Sequence, residues 1–236
     1  MGAYVHRADG SAGAWNAGAE FEGASTLKLP IMVAALERIG GELRWTPYWA
    51  RFTEITRPSS SQAADDVLDL IGGSELGGAA EMVAAMQRLG LRHTYIYGGY
   101  LTDPDAGGGP PPERTERPAP PSFKYTTAAD MAGLATWLAD AAAGSGPLLR
   151  HGVTRHEARE LLYLLLHAAD PGLVTPGAGG RPVAHKTGWL ETSRDDVAVV
   201  FTRRGPIVVT VYAQGTIDTT VYELGRAVAR VALAGS

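Results

Sequence analysis

Ala24-Ser25-Thr26-Leu27-Lys28 heads an apolar run in which Leu27, Ile31, Ala34, Ala35 and Ile39 recur at three- and four-residue intervals until Gly40-Gly41 interrupts them. The pattern predicts a helix from about Ser25 to Arg38. Residues three apart on a helix share a face, so Ser25 and Lys28 would lie a turn apart on one side. A serine hydroxyl is a poor nucleophile until a base comes within hydrogen-bond reach, and a neutral lysine amine can be that base. The free N–H groups at a helix start can also stabilise an oxyanion. A plainer account fits the same residues, with Ser25 as a helix cap and Lys28 solvated.

Two further segments carry chemistry. His185-Lys186-Thr187-Gly188 ends a strand-like run, and a lysine and a hydroxyl beside a glycine suit an anion-binding strand edge that substrate backbone can approach. Ser59-Ser60-Ser61-Gln62 precedes Ala63-Ala64-Asp65 and a helix that stops at Ile71-Gly72-Gly73. Taken singly, the first is a strand-to-turn transition and the second is capping chemistry.

Around these segments the elements alternate in type. Short strands are expected at residues 3–6 and 13–16. Helices are expected at Gln62–Leu70, Gly78–Arg88, Thr127–Asp140 and Thr154–Ala169, then strands at Pro182–His185, Asp196–Thr202 and Ile207–Gln214, and a last helix at Thr219–Leu233. Strands at both ends with helices between them predict an α+β fold, its terminal strands joined in one antiparallel sheet flanked by helices and its middle region all-helical. Residues 102–122 hold seven of the fifteen prolines and Gly107-Gly108-Gly109, which predicts a long surface loop, not a boundary. The expectation is one unit over 1–236: a sheet-containing part at 1–24 and 182–236, and a mainly helical part at 25–181.

Composition narrows the function classes. With 45% hydrophobic and 19% charged residues the chain can bury a core. A net charge of −4 and the lack of a Lys/Arg-rich run give no pull toward nucleic acid or an anionic membrane. The absence of cysteine excludes disulfides, thiolate nucleophiles and thiolate metal sites. No apolar stretch is long enough to span a membrane. Residues 1–20 lack the basic start and apolar segment of an export signal. His156-Glu157-Ala158-Arg159-Glu160 has glutamate where a metal helix would place its second histidine, so these read as surface residues. Trp45, Tyr48, Trp49 and Phe52 fit either core or an aromatic cleft wall, and the same question attaches to Tyr95, Tyr97 and Tyr100.

S-x-x-K, a serine triplet and K-T-G in this order resemble the penicillin-recognising serine hydrolases, above all the class A β-lactamase-like branch. The likeness spans nearly the whole chain: Glu22–Pro30 is similar to the nucleophile segment, Thr126–Met131 to the segment after the omega loop, and Val183–Gly188 to the K-T-G strand. The resemblance implies that Ser25 is acylated, that Lys28 is its base and that Ser59 relays a proton to the leaving group. It implies that Lys186 and Thr187 hold a substrate carboxylate, with Gly188 beside them, and that the backbone N–H groups of Ser25 and Trp189 form the oxyanion hole. Lys186 would help keep Lys28 neutral by repulsion. No cofactor or metal is implied. A small-molecule or peptide-like substrate and a monomer are expected, working outside the cytoplasm if a leader has been trimmed and in the cytoplasm otherwise.

The departures shape the functional reading. Ser61 stands where the family has asparagine, and Ser59, Ser60 and Ser61 leave a one-residue ambiguity in the relay. Glu42–Pro58 must replace a longer helical excursion. No E-x-x-L-N lies between Tyr100 and Thr126, and the acids there are Asp103, Asp105, Glu113 and Glu116. Class A β-lactamases use that glutamate to activate the deacylating water. The expected function is a serine hydrolase or acyltransferase acting on an amide, ester or lactam, with weak or no β-lactamase turnover. The alternatives are a non-catalytic binding or interaction module that retains the fold, and a true β-lactamase with a rebuilt base.

Overall fold

A computed structural model describes residues 1–101, 123–215 and 218–235. The chain opens with β1 (Gly2–His6), β2 (Ala12–Trp15) and β3 (Glu20–Glu22). A 3-10 turn at Ala24–Leu27 leads into α1 (Lys28–Ile39), followed by α2 (Tyr48–Thr56), α3 (Ser61–Gly72) and α4 (Glu75–Arg88). Then come β4 (Tyr95–Ile96), β5 (Lys124–Thr127), α5 (Ala128–Ala143), α6 (Pro147–Arg150) and α7 (Arg155–Leu165). β6 (Val183–Leu190), β7 (Ser193–Thr202), β8 (Gly205–Gln214) and α8 (Thr219–Ala232) complete the order.

The five-stranded antiparallel sheet runs β2-β1-β8-β7-β6, so the two ends of the chain meet where β1 pairs with β8. Both of its faces are covered, which explains why β7 and β8 read as nearly continuous apolar runs. Val197, Val199, Val208 and Tyr212 join the core shared with α1, α3 and α5. Ala198, Val200, Val209 and Val211 face the other way, against Leu173, Val174 and Ala229 of α8. A slip of one residue would exchange these two sets, so burial fixes the register. In α1, Lys28 through Leu36 are all buried, the signature of a helix surrounded by protein.

The α+β architecture and the sheet of terminal strands match the expectation from sequence, with three corrections. The middle region is not all-helical: β3, β5 and β4 form a second sheet, from strands of three, four and two residues that are too short to show a period. β6 does not stop at His185 but runs through Lys186-Thr187-Gly188 to Leu190, because all eight of its residues pair with β7. Glu157 and Glu160 are buried and not on the surface. Glu157 closes a capping box with Thr154 and accepts from the Gly41 N–H at 2.8 Å, which pins the start of α7 to the turn after α1.

The aromatic residues of 45–52 separate, with Phe52 in the core and Trp45 79% exposed. The expected loop at 102–122 and its acids lie outside the described residues. Among the described residues, no helix is long and apolar enough to cross a membrane.

Candidate active site

The 3-10 turn that carries Ser25 is wedged between the two sheets. Gly23 N–H donates to Lys124 O of β5, and the Thr26 hydroxyl donates back to Gly23 O at 2.5 Å while accepting from the buried Tyr212 hydroxyl at 2.8 Å. Ala24, just before Ser25, is held at φ 41°, and Ser59 at φ 59°. Left-handed backbone at a residue with a Cβ costs of order 1–3 kcal/mol, and such strain gathers at functional sites. Gly188 of β6 approaches this turn so closely that a Cβ there would lie 3.1 Å from Thr26 N and 3.2 Å from Ala24 Cβ. The glycine of K-T-G thus lets the edge strand lie against the serine turn, where a Cβ would have to push the turn back by a few tenths of an ångström.

These constraints bring the three sequence segments together. Lys28 Nζ lies 3.1 Å from Ser25 Oγ and donates to Ser59 O at 2.5 Å, with Ser59 Oγ at 3.4 Å and Ser61 Oγ at 3.3 Å. Lys186 Nζ donates to Ser59 Oγ at 2.9 Å and to Thr187 O at 2.8 Å. Ser59 thus bridges the two lysines. Ser60 is occupied as the cap of α3, accepting from Ala63 N at 3.1 Å, so the geometry distinguishes the three consecutive serines.

Both lysines are buried, Lys28 at 0% and Lys186 at 2% exposure. Burial brings Lys28 down to about 8, with Asp65 opposing and Lys124 reinforcing the shift. Burial, and then the charge of Lys28, brings Lys186 to about 7. Repulsion between the two ammonium groups is mutual, so it disfavours charging both at once. Because Ser59 couples the two amines, both values describe the pair.

Thr187, Gly188 and the 61%-exposed Trp189 border a cleft of about 340 Å³ that also meets Arg194, Asp195 and Tyr222. His185 points away from Lys186 to the opposite face of β6, where its Nδ1 lies 3.1 Å from Asp196 Oδ1. Asp196 Oδ2 in turn accepts from Leu173 N and Val174 N, each at 2.9 Å. Burial disfavours a charged His185, but Asp196 outweighs it and the pKa is raised.

Sequence reasoning left three contacts unread. Tyr100 donates its hydroxyl to Ala24 O at 2.9 Å and sets its ring 4.6 Å from Lys28 Nζ. Asp65 binds Tyr100 N at 2.6 Å and Leu101 N at 2.8 Å. Asp195 is buried, and burial pushes its pKa well above the usual range against the opposing pull of the Ala213 backbone and the Ser193 hydroxyl. Only the aromatic spacing of Tyr95, Tyr97 and Tyr100 gave any signal of these. Among the described residues, no group of three or more metal-ligating side chains could hold an ion, and no carboxylate is hydrogen-bonded to Ser25 or Lys28.

Comparison with solved structures finds the same fold. A β-lactamase from Desulfarculus baarsii DSM 2075 superposes with a TM-score of 0.74 at 21% identity, covering 100% of this chain and 91% of the other. One from Sphaerobacter thermophilus DSM 20745 gives 0.72 at 18% identity, covering 98% and 88%. A mutant of PBP-A, solved as an acyl-enzyme complex with penicillin G, gives 0.75 at 21% identity, covering 99% and 89%. No curated protein sequence matches the chain. The model of the β-lactamase enzyme family matches residues 69–234, more than two thirds of the sequence, beginning after the segments that hold Ser25, Lys28 and Ser59. With that match and the shared fold, the chain belongs to the β-lactamase enzyme family as a β-lactamase-like serine hydrolase.

Proposed function

We propose that this chain is a serine acyl-transfer enzyme that forms an acyl-enzyme on Ser25 from an amide, ester or lactam and turns over β-lactams weakly or not at all. The observation that carries the reading is the 3.1 Å approach of the buried Lys28 amine to Ser25 Oγ, with Ser59 Oγ linking Lys28 to Lys186. In the proposed step, neutral Lys28 takes the Ser25 proton as Oγ attacks the acyl carbonyl. The bond from acyl carbon to leaving group then breaks, and the leaving atom receives a proton through the Ser59 hydroxyl. Lys186 and Thr187 anchor an anionic group of the substrate, and the backbone N–H groups of Ser25 and Trp189 receive the oxyanion. Ser25, Lys28 and Ser59 come from the first 59 residues and Lys186, Thr187 and Trp189 from β6, so we read 1–236 as one working unit.

Weak turnover is supported by the sequence itself, which has no E-x-x-L-N between Tyr100 and Thr126 to supply the glutamate that activates a deacylating water. The test is intact-protein mass after incubation with a panel of β-lactams and a fluorophosphonate. A persistent adduct on the wild type that disappears in Ser25→Ala is expected. Absence of an adduct with every probe would favour a binding module that retains the fold. Rapid hydrolysis of a chromogenic cephalosporin would point instead to a β-lactamase with a different base.

A further inference from the structure

The feature beside Ser25 that the acyl-transfer step leaves unused is the aromatic ring against Lys28. Its placement is determined from several sides. The Tyr100 N–H is held by the fully buried Asp65 at 2.6 Å, and Gly99 O, the preceding carbonyl, accepts from Lys124 Nζ at 2.7 Å. Gly99 admits no side chain, since a Cβ would lie 2.4 Å from Glu75 Oε2 and 2.7 Å from the Asp65 carboxyl. At its far end the phenol donates to Ala24 O, the carbonyl next to the nucleophile. The ring therefore spans from the strained Ala24 to the lysine amine, 4.6 Å from Lys28 Nζ and 5.1 Å from Lys124 Nζ.

We propose that Tyr100 is a positioning residue that shields the Lys28 amine and the Ser25 ester from water, and so sets the lifetime of the acyl-enzyme. The inference rests on the acyl-enzyme reading and adds a cause to its slow hydrolysis. Hydrolysis needs a water oxygen to attack the ester carbon while a base takes its proton, the C–O bond to Ser25 breaks and Oγ is reprotonated. The face covered by Tyr100 offers that water an apolar ring and a neutral phenol, whose oxygen can accept a hydrogen bond but is too weak a base to take the water's proton. The same ring keeps the amine dehydrated, with cation–π attraction as a smaller opposing effect.

Two readouts on the full chain test the proposal. The first is the lifetime of the penicillin G adduct by intact mass in wild type, Tyr100→Ala and Tyr100→Phe. Opening the face in Tyr100→Ala is expected to shorten the lifetime roughly tenfold or more, and the ring of Tyr100→Phe to restore it to within about threefold of wild type. The second is the titration midpoint of Lys28 by NMR with labelled lysine, which needs no substrate. It is expected to rise by about one unit in Tyr100→Ala as water reaches the amine, and to stay close to wild type in Tyr100→Phe.

An adduct that forms on Ser25 with the same lifetime in Tyr100→Ala overturns the shielding role and leaves the acyl-enzyme reading intact. A Lys28 midpoint unmoved in Tyr100→Ala overturns the role toward the lysine. No adduct on the wild type sinks the acyl-enzyme reading, and with it the lifetime role, while the lysine titration still decides the rest.

Discussion

A lysine serves as a base only when its amine is neutral, and Lys28 sits at about 8 with Lys186 at about 7. Below pH 7 both amines are protonated and the Ser25 proton has no acceptor. The pair loses its first proton near pH 7 and its second near pH 8, so acylation of Ser25 by an anionic substrate should rise as pH passes 7 and decline above about pH 8 as Lys186 loses its charge, as read from the rate of adduct formation under single-turnover conditions. A flat profile over that range would remove Lys28 as the base. Ser59→Ala should lower the same rate by roughly 10²–10⁴-fold, since it deletes the hydroxyl that joins the two amines. Ser60→Ala should cost only about 1 kcal/mol of stability through its lost helix cap. That contrast was hidden in the sequence, where three identical residues stand in a row and only the folded turn, with its left-handed Ser59 and the cap at Ser60, tells them apart. Tyr100 was equally hidden. Its contact with Lys28 crosses 72 positions and depends on Asp65, which reads in the sequence as one more polar residue of α3.

Periodicity revealed the long elements and missed the short ones. α1, α3, α4 and the β7–β8 pair follow from apolar spacing, whereas β4 has two residues and β3 three, below any detectable period. The extent of β6 was set by its partner. Its eight residues pair with β7 from Val183–Val200 to Leu190–Ser193, and a single strand read alone does not reveal that register. β7 also carries a consequence no pattern announces: Asp195 is buried opposite Gly188 and Tyr212, at the floor of the cleft. Its folded pKa is raised by burial, so the native state keeps the proton to higher pH than the unfolded chain, which ionises it above about pH 4. The cost to stability therefore grows with pH. Asp195→Asn should stabilise the protein at pH 7, by about 1–3 kcal/mol if the amide finds a partner, and the gain should shrink toward pH 4. Thermal melts at the two pH values decide it: an equal effect at both would mean that ionisation of Asp195 is not the cost.

On the scale of the whole molecule, the sheet and the helices meet at the two lysines, one from α1 and one from β6, so the proposed catalytic site is also a burial problem for the fold. Each amine is almost fully enclosed, and each folded pKa lies below the 10.5 of the free side chain. Between the folded and unfolded values the unfolded chain binds more protons, so this pair makes stability rise with pH from about 7 toward 10 and lowers it as pH falls through 8 and 7. His185 and Asp195 act in the opposite sense, because their folded pKa values are raised and their native proton is lost at higher pH than in the unfolded chain. The net curve mixes these contributions, but a difference between variants isolates the lysines. Denaturant unfolding of wild type and of the double variant Lys28→Met, Lys186→Met at intervals from pH 6 to pH 9.5 should give curves that separate most at low pH and converge as pH rises. The variant should be the more stable at pH 6, because methionine fills the same space without a charge to desolvate. Parallel curves across the range would mean that the lysines keep water in the folded state, which would remove the buried neutral amine on which the proposed proton transfer from Ser25 depends.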